Sequence, residues 1–355
     1  MSTTLGATQP TSTAPSSYLP VRNDWLERRV EATLEPGLPI IDPHHHLWER
    51  PDWVYMLDDL LADINTGHNI VGTVFVQCRS MHRAGGPEEF RPVGETEFVN
   101  GVAAMSASGG YGPAKICAGI VGYADLRLGA RVQDVLEAHL RAGGGRFRGI
   151  RHITAYDADP SLMNPAYSPP PGLLADATFR EGFSRLAPLG LSFDAWLYHP
   201  QIDELAALAR SSPETRIVLD HVGGPLAIGA YAGKRDEVFP AWAASIRKLA
   251  QCPNVFVKLG GMGMRINGYD FHEQADPPSS ETLAAAWKPY IDTCVEAFTP
   301  ARCMFESNFP VDKGSYGYGV FWNACKRLAS GASASEKADL FAGAAARFYR
   351  IEIPA

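Results

Sequence analysis

Three consecutive histidines, His44 to His46, follow a short apolar run and are the first residues of the chain that could do chemistry. The run, which begins at Pro39, is readable as a β-strand, in which successive side chains point to opposite faces. His44 and His46 therefore project together, while His45 points away. Two imidazoles side by side at a strand end are a common way to hold a metal ion such as Zn²⁺, and we predict that role for this pair.

Polar residues recur at the ends of later apolar runs, where a core strand has no need of them. Burying such groups without partners costs free energy, so their recurrence at strand after strand predicts one shared site. The residues are Gln77, Arg79, Arg151, His152, Asp194, His199, Asp220, His221, Lys258, Glu306 and Asn308.

Alternation along two of these runs predicts which side chains face inward. His221 shares a face with Ile217 and Leu219, so we expect it inside a closed sheet, and we expect Asp220 to point the other way and orient a neighbour or cap a turn. Glu306 and Asn308 share a face, with Glu306 one layer deeper.

A carboxylate as deep as Glu306 is costly unless it is paired or bound to a metal ion. Two interpretations stay open for it, a functional group or a structural salt-bridge partner of Lys258 or Arg151.

The fourth and fifth runs each contain a conflict between neighbouring residues. If Asp194 faces inward, His199 faces outward, although a strand that breaks before Pro200 loosens this argument. His152 conflicts with Arg151 in the same way. We favour Arg151 as the inward residue, because a guanidinium can bind a substrate carboxylate through two parallel hydrogen bonds.

Eight apolar runs alternate with helix-like segments, which predicts a parallel sheet and, at this number of strands, an α/β fold of the (β/α)₈ TIM-barrel type. A doubly wound open sheet is the competing fold, but it normally carries a Gly-rich turn where this chain has histidines. The predicted strands are residues 40–46, 72–78, 116–123, 147–154, 191–198, 216–221, 254–259 and 303–306.

Three long connections, residues 79–94, 155–174 and 262–280, follow predicted strand ends and are expected to form the walls of a site on the C-terminal face. Tyr156 lies in the second of them, and Trp48 follows the histidines; we expect both to line the pocket. Residues 1–17, rich in Ser, Thr, Ala and Pro, predict a disordered tail. Residues 18–38 predict an N-terminal arm, and residues 39–355 the barrel.

Composition excludes several classes of function. The chain has 355 residues, a net charge of −7 and no basic run, which argues against nucleic-acid binding. No apolar run approaches the length of a membrane span, and residues 1–17 do not resemble a signal peptide. The six scattered cysteines predict small buried hydrophobes in a reducing compartment, so a cytoplasmic location is expected.

The chain resembles the amidohydrolase superfamily, and within it the branch of metal-dependent barrel hydrolases that includes lactonases and pyrone-dicarboxylate hydrolases. The resemblance spans roughly residues 39–349. It rests on four segments, which are Ile41-Asp42-Pro43-His44-His45-His46-Leu47-Trp48, Phe147-Arg148-Gly149-Ile150-Arg151-His152, Val218-Leu219-Asp220-His221-Val222-Gly223-Gly224-Pro225 and Met304-Phe305-Glu306-Ser307-Asn308-Phe309-Pro310-Val311.

The resemblance implies a divalent metal, Zn or Mn, on His44, His46 and His221. The family's strand-eight aspartate, which deprotonates the attacking water, falls on Asn308, which cannot act as a base. Glu306, two residues earlier on the same face, is expected to take over the acidic role. The residue that bridges two metals in relatives has no match here, so the resemblance implies a mononuclear site.

We therefore predict hydrolysis of a small carboxylated lactone by water, with Glu306, His221 and Asn308 as catalytic residues. The expected substrate-binding residues are Gln77, Arg79, Arg151, Trp48 and Tyr156. Three alternatives stay open: a metal-free mechanism in which the imidazoles act directly, a decarboxylase or hydratase acting on aromatic or unsaturated acids, and a barrel that binds a small acid without catalysis. A homo-oligomer is possible.

Overall fold

The computed structural model describes residues 18–164 and 166–352, so the predicted disordered tail, residues 1–17, lies outside the described residues. Eight parallel strands form one sheet in which each strand pairs with the next along the chain, as the alternation of apolar runs and helices predicts. They are β1 (Pro39–His45), β4 (Asn69–Val76), β5 (Lys115–Gly122), β6 (Phe147–Arg151), β7 (Ser192–Ala195), β8 (Ile217–Leu219), β9 (Val255–Leu259) and β10 (Cys303–Phe305), and a hairpin of β2 (Trp48–Arg50) and β3 (Trp53–Tyr55) stands apart.

Residues just beyond β10 close the sheet onto β1. The backbone N–H of His46 donates to the carbonyl of Phe309 at 2.8 Å, and that of Asn308 donates to the carbonyl of His44 at 3.0 Å. Asp42 reinforces the seam, because its carboxylate accepts the hydroxyl of Ser307 at 2.6 Å. The fold is therefore an α/β TIM barrel, as predicted.

Helices form the outer layer and connect the strands. They are α1 (Asn23–Leu26), α2 (Leu57–Ile64), α3 (Val93–Ala107), α4 (Val132–Ala142), α5 (Ala177–Phe183), α6 (Ile202–Ser211), α7 (Arg235–Leu249), α8 (Ser280–Phe298), α9 (Tyr318–Leu328), α10 (Ala334–Ala338) and α11 (Ala344–Tyr349). Ser333 caps α10 through a reciprocal pair of hydrogen bonds with Glu336. None of the helices in the described ranges is long and apolar enough to span a bilayer.

The N-terminal end of the barrel is plugged by apolar side chains. Ile41, Val121, Val218 and Met304 from four strands pack with α11 in one buried cluster. Burial of this apolar surface is favourable at this end, and it leaves polar interior residues only toward the opposite, C-terminal end of the strands. The candidate site is therefore expected at the C-terminal face.

The N-terminal arm lies across that open face. Trp25 in α1 is buried, and its indole Nε1 donates to the carbonyl of Gln274 at 3.0 Å. Tyr18 and Leu19, which precede α1, line a cavity at the mouth of the barrel. The arm thus forms part of the wall of the candidate site.

Candidate active site

A β-bulge in β1 decides which residues of the first segment face inward. Asp42 lies opposite Thr73 and His45 lies opposite Phe75, so β1 carries one extra residue between these pairs. A bulge re-aims the side chains beyond it. His44 consequently points into the barrel although Asp42, two residues earlier, does not. His45 points away, as predicted, and its Nε2 lies 2.9 Å from the hydroxyl of Thr73.

His46 joins His44 just past the end of β1. The two ring centroids lie 5.0 Å apart, and both side chains are buried. The Nδ1 of His46 lies 2.7 Å from the carbonyl oxygen of Val76. This contact fixes the ring and leaves its Nε2 for other partners. The ring of Trp48 stacks on the ring of His46, with the two centroids 5.7 Å apart. The structure therefore brings the predicted pair together.

The predicted orientation of the sixth barrel strand, β8, is wrong. Val218 packs inside the barrel, and Asp220, two residues later, also points inward, while Leu219 packs in the outer core. His221 still reaches the interior because β8 ends at Leu219 and His221 adopts a left-handed φ of 54°. Few residues other than glycine adopt this conformation, and it turns the side chain back over the strand end.

Glu306 lies between two imidazoles at the centre of the site. Its Oε1 lies 2.6 Å from the Nδ1 of His221, and its Oε2 lies 2.7 Å from the Nδ1 of His44. Burial by itself raises the pKa of Glu306, but the two imidazoles outweigh it and hold this pKa well below its usual range. The carboxylate is therefore ionised.

Lys258 forms the floor beneath these groups. Its ammonium lies 2.7 Å from Asp194, 3.0 Å from Asp220 and 3.2 Å from the Nδ1 of His44, and it has no solvent exposure. Burial acts to lower the pKa of Lys258, but the surrounding carboxylates raise it above its usual range, so the cation persists. Tyr349 donates to Asp194 at 2.6 Å from below.

Arg151 points inward, as expected, but its guanidinium is already engaged. Its Nη1 lies 3.2 Å from the Nε2 of His44, and its Nη2 donates to the backbone carbonyl of Gln77. The side-chain amide of Gln77 is buried and has no hydrogen-bond partner among the described residues. Arg151 lines the cavity described next, so one edge of the guanidinium is available to a ligand.

Burial keeps His44 and His46 neutral. It lowers the pKa of His44 well below its usual range, and the cation of Lys258 acts in the same direction. It also lowers the pKa of His46, with Arg151 adding to the effect. Neutral imidazole is the form that binds metal ions.

A cavity of about 90 Å³ opens above these residues. Two arginines and two histidines line it, and among the described lining residues there is no aspartate or glutamate, so the cavity favours an anionic ligand. Four aromatic rings form much of the remaining wall. The polar and aromatic lining residues are His46, His221, Arg151, Arg265, Asn164, Asn308, Tyr18, Tyr167, Trp196 and Tyr198.

Arg79, a predicted substrate-binding residue, and His152, the alternative to Arg151, both lie outside this chamber. Arg79 and His152 line a neighbouring cavity of about 680 Å³, which shares only Ile153 and Tyr167 with the first. Arg79 donates to the carbonyl of Ala166, and the backbone N–H of Leu126 donates to the Nδ1 of His152 at 3.3 Å. Neither side chain contacts the histidine cluster.

Other predicted residues also take different positions. Trp48 lies behind His46 and is not among the lining residues, and neither is Tyr156. His199 points outward, with its Nδ1 3.3 Å from the backbone N–H of Leu226. Asn308 does line the chamber, and its amide nitrogen donates to Asp312 at 2.9 Å.

The donor set fits a divalent metal ion. His44, His221 and Glu306 each offer a ligand atom within 4.8 Å of the others, and all three are buried. His46, the third predicted ligand, is not part of that set but lies beside His44. Imidazole nitrogens with a carboxylate are a common ligand set for Zn²⁺. Arg151 contacts the Nε2 of His44, so an ion at this nitrogen would displace the guanidinium.

The sequence places Lys258 and Asp194 at strand ends, but it offers Lys258 only as a salt-bridge partner of Glu306, gives Asp194 no role and turns Asp220 away from the site, whereas Lys258 pairs with Asp194 and Asp220. Alternation anchored on Val218 rather than on His221 would have found Asp220, because Val218 and Asp220 are the inward pair of this strand. The glycines after His221 mark a turn at which alternation stops.

Comparisons with known proteins agree with this architecture. The sequence profile of the amidohydrolase family matches residues 41–351. The uncharacterized protein y4mH of Sinorhizobium fredii is 33% identical over 336 residues, which cover 88% of this chain and 99% of that protein. An L-fucono-1,5-lactonase of Burkholderia multivorans is 28% identical, over 89% of this chain and 97% of its own length.

A crystal structure of an amidohydrolase from Burkholderia multivorans, determined with bound Zn, superimposes with a TM-score of 0.68 at 25% identity, and covers 88% of this chain and 99% of that one. The family profile spans nearly the whole barrel, from β1 to the second residue after α11. The chain therefore belongs to the amidohydrolase family.

Proposed function

We propose that the protein hydrolyses a small lactone that carries a carboxylate, with water as the attacking group. The observation that carries this proposal is a chamber lined by two imidazoles and two arginines and, among its described residues, by no carboxylate, with the ring of His44 beside both imidazoles. The similarity to an L-fucono-1,5-lactonase supports the reaction type. Arg151 and Arg265 support an anionic substrate.

The residues divide between holding the substrate and promoting attack. Arg151 and Arg265 would bind the carboxylate, and Trp196 and Tyr198 would pack against the ring and exclude water from it. A divalent ion on His44, His46 and His221, with Zn the first choice and Mn the second, would polarise the carbonyl and lower the pKa of a water molecule. In a metal-free enzyme the same imidazoles would donate to the carbonyl oxygen.

The proton of the attacking water would pass to the pair formed by His221 and Glu306, which would return it to the ring oxygen as the bond between that oxygen and the carbonyl carbon breaks. Glu306 lies 2.6 Å from the Nδ1 of His221, so its negative charge would stabilise the imidazolium as it forms. Asn308 cannot take a proton, but its amide, fixed by Asp312, would orient the water or the ring oxygen.

The test uses purified protein with and without added Zn²⁺. Its substrates are L-fucono-1,5-lactone, a six-membered lactone bearing a ring carboxylate, and the matching carboxamide. Acid release is followed with a pH indicator. We expect the carboxylated lactone to be hydrolysed with a kcat/KM of about 10⁴ M⁻¹s⁻¹ or more, in the ordinary range for enzymes. The kcat/KM of the carboxamide analogue should be much lower.

The decarboxylase alternative is measured on the same samples. An aryl carboxylate is supplied and CO₂ release is followed. Release of CO₂ with no opening of any lactone would replace the proposed hydrolysis by decarboxylation.

A cytoplasmic location and a homo-oligomeric state stay predictions.

A further inference from the structure

Thr73 is a buried polar residue in β4, within a run that is otherwise apolar from Ile70 to Val76. Its hydroxyl oxygen lies 2.9 Å from the Nε2 of His45, and it accepts the backbone N–H of Cys117 at 2.9 Å. These three residues belong to the adjacent strands β4, β1 and β5, and none of them has exposed surface. One hydroxyl therefore joins three strands next to the histidine pair.

This hydroxyl spans the bulge in β1 that carries His44. Thr73 lies opposite Asp42, before the bulge, and its side chain contacts the ring of His45, after the bulge. In either tautomer of His45 this contact can be a hydrogen bond, because a hydroxyl both donates and accepts. Since a bulge re-aims the side chains within it, Thr73 holds both ends of the segment that directs His44.

A second irregularity, in β5, supplies the other partner of the hydroxyl. The β4 residues on either side of Thr73 pair with Lys115 and Gly119, so β5 carries two extra residues at this point. Cys117 lies among them and has a left-handed φ of 52°, which few residues other than glycine adopt. A buried N–H that a bulge removes from the ladder needs another partner, and here the hydroxyl of Thr73 provides it.

Residues after β10 hold the same bulge from the opposite side. The backbone N–H of Asn308 donates to the carbonyl of His44 at 3.0 Å, and the hydroxyl of Ser307 donates to the carboxylate of Asp42 at 2.6 Å. These contacts fix the backbone of the segment, whereas Thr73 contacts a side chain from the β4 side. The bulge is therefore held between both neighbouring strands.

We propose that Thr73 is a positioning residue for His44. Its hydroxyl fixes the ring of His45 against β4 and β5, and the bulge then directs the imidazole of His44 into the barrel beside His46 and His221. Thr73 is not among the described residues that line the chamber, so it acts through the backbone and not on a ligand. The inference rests on the proposed site but not on the proposed reaction.

The test compares two variants of Thr73 in the full chain. Thr73→Val removes the hydroxyl and keeps the branched shape, whereas Thr73→Ser keeps the hydroxyl. Zn²⁺ affinity is measured by competition with a chelator. We expect Thr73→Val to lower this affinity about 10- to 100-fold, as for other residues that orient metal ligands, and Thr73→Ser to retain most of it. A crystal structure of Thr73→Val should show the ring of His44 displaced from its wild-type position beside His46.

Ser106→Ala is the matched control. The hydroxyl of Ser106 is also buried and also accepts a backbone N–H of β5, that of Ile116 at 3.1 Å, but it donates to the carbonyl of Ala114 and not to a histidine. This variant removes a hydroxyl that pairs with β5 without removing a contact to the bulge. It should lose stability as Thr73→Val does and keep its Zn²⁺ affinity.

His45→Phe breaks the same contact from its other end and leaves the N–H of Cys117 paired with Thr73. We expect Zn²⁺ affinity to fall as in Thr73→Val. The double variant should fall little further, because two changes to one contact are not additive.

Three outcomes would overturn the proposal. They are a Zn²⁺ affinity in Thr73→Val as high as in Ser106→Ala, an affinity in Thr73→Ser as low as in Thr73→Val, or an unmoved His44 ring in the crystal structure of Thr73→Val. If Thr73→Val does not fold, unchanged affinity and an unmoved His44 ring in His45→Phe would overturn it. If the wild-type protein binds no Zn²⁺, the crystal structures decide. A displaced His44 ring in a variant of a protein that opens no lactone would refute the proposed function alone.

Discussion

The ammonium of Lys258 lies 2.7 Å from the carboxylate of Asp194 in the floor of the barrel, and neither side chain has any exposed surface. The same ammonium lies 3.0 Å from the carboxylate of Asp220, so one cation neutralises two carboxylates. Removal of one partner of a buried ion pair leaves the others without compensation. This group therefore couples the stability of the fold to the site above it.

Lys258→Met should destabilise the protein by about 3–5 kcal/mol, because two buried carboxylates lose their cation. The free energy of unfolding in urea measures this loss. Lys248→Met is the control: Lys248 pairs with Asp203 at 2.7 Å, but both side chains are about half exposed, and such pairs contribute about 0–1 kcal/mol. A Lys258 variant no less stable than this control would contradict the assignment of a charged floor.

Gly261→Ala should abolish most of the activity, because the new Cβ would lie 2.4 Å from the imidazole of His221 and force it to move. We expect a loss of at least about 100-fold in kcat/KM, as for misplacement of a catalytic group by about 1 Å. Steady-state kinetics on the best lactone measure it.

Gly190→Ala separates backbone strain from this contact. Gly190 has a similar φ of 69°, but nothing lies within 4 Å of its added Cβ. Gly190→Ala should lose about 1 kcal/mol of stability through backbone strain alone, whereas Gly261→Ala should lose more because of the added clash, and only Gly261→Ala should lose activity. Equal activity in the two variants would show that the position of the His221 ring is not limiting.

Arg265→Met should lower kcat/KM for the carboxylated lactone about 10-fold, the effect of about 1.4 kcal/mol of lost transition-state binding. The carboxamide analogue should be unaffected, since Arg265 supplies charge at the mouth of the chamber. Arg141→Met, on the exposed face of α4, should change neither rate. A parallel loss with both substrates would argue that Arg265 acts on the loop and not on the carboxylate.

His44→Ala should remove the metal ion. Protein purified without added metal is expected to contain roughly one divalent ion per chain, as three protein ligands bind a single catalytic Zn²⁺, and the variant should contain almost none. His272→Ala, at a partly exposed histidine that does not line the chamber, should retain it. Elemental analysis decides the point. Metal content near zero in the active wild-type protein would favour the mechanism in which the imidazoles act directly.

Much of this site could be predicted from the order of residue types. Apolar runs alternating with helices determine a parallel barrel, and a barrel brings the C-terminal ends of its strands together. That is enough to expect His44, His46, His221 and Glu306 in one place. It does not fix their roles, because the same carboxylate can be a base, a metal ligand or a residue that orients a histidine, depending on which atoms it contacts.

Tertiary structure decided the direction of individual side chains. Alternation from Asp42 to His44 is broken because a bulge inserts an extra residue into β1, although His44 and His46 do share a face as predicted. His221 reaches the interior because it adopts a left-handed conformation beyond the end of β8 and not because it shares a face with Leu219. Both features depend on neighbouring strands and turns that a single sequence does not display. The same holds for Arg79, Trp48 and Tyr156, whose places follow from how the loops pack.

The sequence by itself determined the fold and the set of histidines, because hydrophobic periodicity is local and each strand carries its own. Only the tertiary structure decided that Glu306 contacts two imidazoles, that Lys258 neutralises two carboxylates beneath them, and that Asp220 faces inward. Hydrogen bonds and ion pairs act over a few ångströms between residues far apart in the chain, so their partners are fixed only when the barrel closes.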